Sequence, residues 1–267
     1  MIKVAIVGAA GRMGRILIEV LARDVEAKLS AAVVTSESGL LGVDAGELVG
    51  MGSLGVEISD SLADHIDEVD AVIDFTRPTY TMKNAILCSH HQKSIVIGTT
   101  GLNTQQKQEL QSISEKIPIV FAPNMSIGVN LVFKLLEMAA KVLDADADVE
   151  IIEAHHRNKK DAPSGTALKM GEVIANATNR DFEHCAVYGR EGHANTRDKK
   201  TIGFATIRAG DIVGDHTALF ACEGERIEIT HKSNNRLIYA RGAIKAVKFL
   251  HKKQPGLYDM QDVLGLS

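Results

Sequence analysis

Through the first 125 residues, short apolar runs alternate with stretches of helical periodicity. Residues 3–7, 29–34, 71–75, 94–97 and 119–122 are rich in Val, Ile and Ala and read as strands. Residues 13–22, 79–90 and 104–116 read as the helices between them. Strands that are apolar almost without interruption are buried on both faces. Their alternation with helices predicts a parallel sheet with right-handed crossovers. The first half therefore reads as a doubly wound α/β domain.

The pattern then changes. Residues 127–143 place Val129, Val132, Phe133, Leu136, Ala139, Ala140 and Leu143 at helical spacing. A strand over 149–154 precedes a polar loop, 155–164, and a helix over 165–177. Strands over 202–207, 216–221 and 225–230 are separated by Gly-containing turns, which predicts an α+β region with an open sheet. The last long helix, 235–251, is expected to return to the first sheet, which needs both faces covered. The expected organisation is 1–125 with 236–267 as a dinucleotide-binding domain, and 126–235 as a domain for substrate and oligomerisation.

Composition narrows the function. The 267 residues are 45% hydrophobic and 24% charged, with 30 Lys and Arg against 34 Asp and Glu, a net charge of −4. That balance, with no Trp and 4% aromatics, argues against nucleic-acid and anionic-membrane binding. Cys88, Cys185 and Cys222 form neither a disulfide framework nor a CxxC metal pair, which suits the reducing cytoplasm. The opening Met1-Ile2-Lys3 runs directly into a strand, so no targeting segment is expected. The uncharged run 117–133 is broken by Pro118, Pro123 and Gly128, a poor membrane span.

The chemistry begins at Gly8-Ala9-Ala10-Gly11-Arg12-Met13-Gly14, between a predicted strand and a predicted helix. Gly8 allows the tight turn, Gly11 the approach of a phosphate, and Gly14 close helix–strand packing. The helix start then offers N–H groups and a positive dipole end to a pyrophosphate. This is a Rossmann-like cofactor loop with GxxGxxG spacing. The second strand ends at Val34-Thr35, where an acidic residue would hold a ribose hydroxyl and a basic one a 2′-phosphate. Neither type is present. The missing acidic partner tilts the reading slightly towards NADP, whose 2′-phosphate Thr35 and Ser36, with Arg12 or Arg77, would bond. The loops Asp74-Phe75-Thr76-Arg77-Pro78 and Gly98-Thr99-Thr100-Gly101 follow later strands and belong to the same cleft, and Ala122-Pro123-Asn124-Met125-Ser126 ends the next strand and marks the hinge.

The richest stretch is Glu153-Ala154-His155-His156-Arg157-Asn158-Lys159-Lys160-Asp161-Ala162-Pro163-Ser164-Gly165-Thr166-Ala167. Cationic side chains facing a helix start that carries Ser and Thr describe a pocket for carboxylate or phosphate. His suits proton transfer near neutral pH. Four residues separate His155 from Lys159, so they converge only if the loop coils. A metal site is not expected, since there is no HExxH and no Cys pair.

This stretch resembles the signature of the 4-hydroxy-tetrahydrodipicolinate reductase (dihydrodipicolinate reductase) family. The agreement extends to the glycine loop, Asp74-Phe75-Thr76, Gly98–Gly101, Asn124, Arg208–Gly214 and His216. The resemblance implies a Rossmann domain completed by the C-terminal helix, and a central domain that binds a dicarboxylate substrate and builds a homotetramer. It implies NADH or NADPH as cofactor. By position, His155 would be the acid/base residue and Lys159 the proton donor. His156, Lys159, Ser164, Gly165 and Thr166 would hold the carboxylates. Gly8–Met13, Gly98–Thr100 and Ala122–Met125 would line the cofactor. Val34, with Thr35 next, departs from the acidic residue many members carry. Rival dehydrogenase readings lack support: Asn84, Gly192, Ala243 and Asp262 stand four residues after the four Tyr, so there is no YxxxK. A degenerate nucleotide sensor would not need the intact His155 and Lys159.

Overall fold

The structure, a computed structural model, describes residues 1–144, 146–193 and 196–266. In chain order the elements begin with β1 (Ile2–Val7), α1 (Arg12–Leu21), β2 (Ala27–Val33), β3 (Ile58–Ser59) and β4 (Ala71–Asp74). They continue with α2 (Pro78–His90), β5 (Ser94–Ile97), α3 (Thr104–Ser114), β6 (Pro118–Phe121), α4 (Ile127–Leu143) and β7 (Asp148–His155). Then come α5 (Gly165–Ala177), α6 (Phe182–Cys185), β8 (Ala186–Val187), β9 (Ile202–Arg208), β10 (Gly214–Ala221) and β11 (Arg226–Ser233). The chain closes with α7 (Leu237–Leu250), β12 (Gly256–Tyr258) and α8 (Met260–Leu264). It divides into two compact units, residues 1–127 with 236–267, and residues 128–235.

The first unit holds a seven-stranded parallel sheet in the order β12-β6-β5-β4-β1-β2-β3. Successive residues feed opposite faces, as the pleat requires. Val4, Ile6, Ile73, Val96 and Val120 pack with Leu17 and Ile18 of α1 and Ala243, Ile244 and Val247 of α7. Ala5, Val7, Val72, Ile95, Ile97 and Ile119 pack with Met82 and Ala85 of α2 and Leu110 and Ile113 of α3. The C-terminal helix thus covers the face that α1 alone cannot. Gly242 permits its close approach, since a Cβ there would stand 1.7 Å from the Met125 carbonyl oxygen.

The elements absent from the expectation are short. Between β2 and β3 the crossover is a loop with a single 3₁₀ turn, Glu47–Val49, rather than an α-helix. Asp44 instead gathers the loop, accepting from the N–H groups of Gly46 (2.7 Å), Leu54 (2.9 Å) and Gly55 (2.8 Å). These bonds, Leu54's foremost, hold the Asp44 carboxyl far below its usual range. β12 and α8 extend the sheet edge and its cover after α7.

The second unit is built on a five-stranded sheet in the order β11-β10-β7-β9-β8. β10 is antiparallel to both neighbours, and β9 runs parallel to β7 and β8. One face carries Val149, Ile151, Phe204, Ala218 and Phe220 against α4 and α5. The central strand β7 extends one residue beyond expectation, so His155 ends a strand rather than opening a loop.

Candidate active site

At the end of β7 the inward-facing positions turn polar. Val149 and Ile151 are followed at spacing two by Glu153 and His155, all buried. The register sets Glu153 opposite Thr206 on β9 and His216 on β10, and sets His155 opposite Arg208. Neighbouring strands therefore supply the partners this polar pair needs. Arg208 grips the Glu153 carboxylate with two bonds of 2.8 Å, and Thr206 donates at 3.3 Å. The N–H of Ser164 donates to Glu153 at 3.0 Å, and His155 Nδ1 lies 2.6 Å from its other oxygen. Burial pushes the Glu153 carboxyl up, but Arg208, His155 and Ser164 outweigh it and the net shift is downward. Glu153 is thus an ionised acceptor that fixes Nδ1 of His155 as the protonated ring nitrogen.

Ser164 caps α5, its Oγ accepting from the Ala167 N–H at 3.1 Å. The same hydroxyl lies within hydrogen-bond reach of His216 Nε2, at 2.8 Å. His216 is 95% buried and its pKa is pushed down to about 4, by burial first and then by the neighbouring His155. It is therefore neutral at pH 7. Its Nδ1 has no partner among the described residues. The His155 and His216 rings meet edge to face at 5.0 Å. Gly214 admits them, since a Cβ there would stand 3.0 Å from His155 Nε2. Burial also lowers the pKa of His155, and Lys159 and Arg208 add to this against the opposing pull of Glu153.

The following loop does coil. The N–H of Lys159 bonds the His156 carbonyl at 3.1 Å, and the Lys159 ammonium rests on both Asp161 oxygens at 2.8 Å. Arg208 also donates to the Asp161 carbonyl, at 2.6 Å. Arg157 and Lys160 are exposed and His156 is half-buried. Gly165 opens α5 with nothing within 4 Å of where its Cβ would be, and Thr166 follows, half-buried.

In the first unit, strand order reverses between β1 and β4, the position where open sheets of this kind bind ligands. Gly8 has φ +77°, and its N–H and that of Ala9 both bond the Val33 carbonyl. A Cβ on Gly14 would stand 2.3 Å from the Gly8 carbonyl oxygen, so the helix–turn contact requires glycine. No side chain caps α1 at Gly11, and Arg12 and Met13 begin the helix. Gly98 is pressed on the Phe75 ring, Thr99 is buried, and Thr100 is exposed. Arg77 is an exposed residue preceding α2, and the Ser126 N–H bonds Asn124 Oδ1 at 2.9 Å.

Two family profiles match the chain: "Dihydrodipicolinate reductase, N-terminus" over residues 2–125 and "Dihydrodipicolinate reductase, C-terminus" over residues 128–264. The chain belongs to the dihydrodipicolinate reductase family. It is 59% identical over 265 residues to the 4-hydroxy-tetrahydrodipicolinate reductase of Pseudomonas fluorescens (strain Pf0-1), covering 99% of each chain. It is 58% identical to that of Hahella chejuensis (strain KCTC 2396), covering the whole of both. Among solved structures, the dipicolinate-bound dihydrodipicolinate reductase from Paenisporosarcina sp. TG-14 superposes with a TM-score of 0.79 at 27% identity, covering 98% of each chain. GenD2 from gentamicin A biosynthesis, in complex with NAD, shares the fold at 13% identity, with a TM-score of 0.62 and coverage of 99% and 90%.

The structure gathers His155, Lys159 and Ser164 around one polar cluster. Several cofactor candidates have buried side chains. The Met125 side chain is 1% exposed and packs in the core of the first unit, as do Val34, Ala9 and Ala122. Only their backbones are available to a ligand. Beyond Thr35 and Ser36, the exposed Glu37 carboxyl is held below its usual range, by its own N–H foremost. The segment after β2 therefore presents an anion. Sequence reasoning gave no role to Glu153, Asp161 or Arg208. The readable signal was the pair Glu153 and His155 at strand spacing on an otherwise apolar face.

Proposed function

We propose that the chain reduces 4-hydroxy-tetrahydrodipicolinate to tetrahydrodipicolinate, with loss of water, using NADH or NADPH in diaminopimelate and lysine biosynthesis. The observation that carries this reading is the Arg208–Glu153–His155 network joined to the start of α5, in a chain 59% identical to a reductase of that name.

The first unit fits a dinucleotide. The positive φ of Gly8, the contact that only Gly14 allows and the uncapped amides of α1 form a pyrophosphate cradle. Gly8, Ala9, Ala10, Gly11, Arg12 and Met13 would hold the pyrophosphate. The backbone at Val34 and Thr35 would border the adenosine ribose. Arg77, Gly98, Thr99, Thr100 and the 122–125 loop (Ala122, Pro123, Asn124, Met125) would flank the nicotinamide half. When bound, the cofactor supplies the hydride.

The second unit handles charge and protons. The substrate carries two carboxylates, and the Paenisporosarcina reductase is bound to dipicolinate, itself a pyridine dicarboxylate. Lys159, His156 and the first-turn amides of Gly165 and Thr166 would grip such a dianion by charge-assisted hydrogen bonds. Ser164 holds that helix start in place through Glu153 and His216. The 4-hydroxyl leaves with a ring proton as water, which conjugates the imine. Reduction at the carbon that carried the hydroxyl leaves negative charge spread over that imine, which then takes up a proton. His155 is neutral at pH 7, with Nδ1–H committed to Glu153, so Nε2 serves as proton acceptor and relay. Lys159, steadied by Asp161, is the donor.

Following nucleotide oxidation with substrate generated in situ by its synthase tests the reading. The absence of substrate-dependent oxidation with either nucleotide ends it. Lys159→Met and His155→Gln are expected to lower kcat by about 10²–10⁴-fold while retaining nucleotide binding. Wild-type rates in both reject the roles.

The homotetramer is part of the proposal. Ile152 and Ile207, 36% and 48% exposed, share with Ala205 the face of the five-stranded sheet opposite its core. Light scattering in solution checks the assembly. A cytoplasmic location is consistent with three free thiols and, among the described residues, no helix long and apolar enough to cross a membrane.

A further inference from the structure

Asp74 ends β4 wholly buried, and the donors it receives are all neutral. Its Oδ1 accepts from the Thr76 N–H (2.8 Å), the Thr76 hydroxyl (2.6 Å), and the Thr81 and Thr99 hydroxyls (3.2 Å each). Asn84 Nδ2 donates to Oδ2 at 2.8 Å. Thr81 also lies 2.8 Å from the Thr99 hydroxyl. One carboxylate thus joins three pieces of backbone: the loop leaving β4, the loop leaving β5, and the first two turns of α2. A buried charge without a cation is costly, and an apolar cluster of the same shape would stabilise the unit at least as well. What the polar cluster adds is direction, since each hydroxyl has to face Asp74.

We propose that Asp74 is a positioning residue for the nucleotide, setting the Thr76–Arg77 and Thr99–Gly101 loops from behind through Thr76, Thr81 and Thr99. This rests on the cofactor reading above. Asp74 itself touches no ligand in this scheme. Its contribution is that both loops approach the nicotinamide half of the dinucleotide already ordered, which lowers the entropy lost on binding.

The experiment measures the dissociation constant of NADH and of NADPH by isothermal titration calorimetry, alongside melting temperature, for the full chain. Asp74→Asn places a donor among donors and is expected to weaken nucleotide binding about tenfold or more. Because that variant can fail to fold, Thr81→Val and Thr81→Ser form the second arm. Val keeps the shape and loses the hydroxyl; Ser keeps the hydroxyl. Weaker binding in Thr81→Val, restored in Thr81→Ser at equal or lower melting temperature, supports the proposal. Unchanged binding in Thr81→Val overturns it, as does equal loss in both variants, which marks a packing role. If the wild type binds neither nucleotide, the cofactor reading fails and takes this proposal with it; wild-type binding with an unresponsive Thr81→Val sinks this proposal alone.

Discussion

Replacing Glu153 by Gln keeps the volume at the centre of the polar cluster and removes its charge. In the wild type, Oε1 accepts from Ser164, Thr206 and Arg208 Nη2, while Oε2 accepts from Arg208 Nη1 and His155 Nδ1. A Gln that keeps its oxygen at the first position sets an NH2 group against Arg208 and His155, so two charge-assisted bonds are lost. At about 1.5–3 kcal/mol each, the gross loss is about 3–6 kcal/mol. His155 recovers part by exchanging tautomers and accepting from the new amide. A net loss of about 3 kcal/mol follows, or roughly 6–12 °C in Tm for a chain of this size. The tautomer exchange has a second effect: Nε2 becomes an N–H and can no longer accept a proton. We expect kcat to fall about 10²–10⁴-fold with the KM for nucleotide little changed. The acid limb of the pH profile should also move to lower pH, because Glu153 is the group that raises the His155 pKa. The assay is steady-state nucleotide oxidation across pH, paired with thermal melts. A Glu153→Gln enzyme with kcat within about threefold of wild type and an unmoved acid limb would refute the reasoning.

Stability should fall as pH drops from about 6.5 towards 4, because unfolded His216 takes up a proton in that window and folded His216, with its pKa near 4, does not. The full effect is roughly 3 kcal/mol; urea melts of His216→Gln should show a shallower decline over the same range. Gly242→Ala drives a Cβ into the Met125 carbonyl and should destabilise by about 2 kcal/mol or more, read as a lower urea midpoint. The wild type should prefer NADH, because Glu37 would face a 2′-phosphate with like charge; a Glu37→Gln enzyme with an unchanged ratio of kcat/KM values for the two nucleotides would count against this.

The doubly wound sheet was legible because its strands are so apolar: runs such as Val4-Ala5-Ile6-Val7 have no polar face to offer solvent, and only burial between two helical layers accommodates them. The short elements were not. β3 has two residues and β12 three, too few for a period to register, and each exists because a longer neighbour offers an open edge. The connection between β2 and β3 escaped for another reason. Asp44 holds it through a single carboxylate, which leaves no periodic trace. At the site, the loop chemistry of His155, Lys159 and Ser164 could be read locally. The partners of Glu153 could not, since Thr206, Arg208 and His216 lie more than fifty residues away and meet it only through strand register. Glu37 was passed over because the strand-end rule points at Val34 and Thr35, and Glu37 stands beyond them.

The return of α7 has a consequence for synthesis. When residue 235 leaves the ribosome, the second unit has its whole sequence, but the first still lacks the helix that closes one side of its sheet. Val96, Val120 and their neighbours stay open to water, or to a chaperone, until residues 236–267 arrive. A premature stop within that stretch would release a sticky chain, with its earlier-made half the defective one.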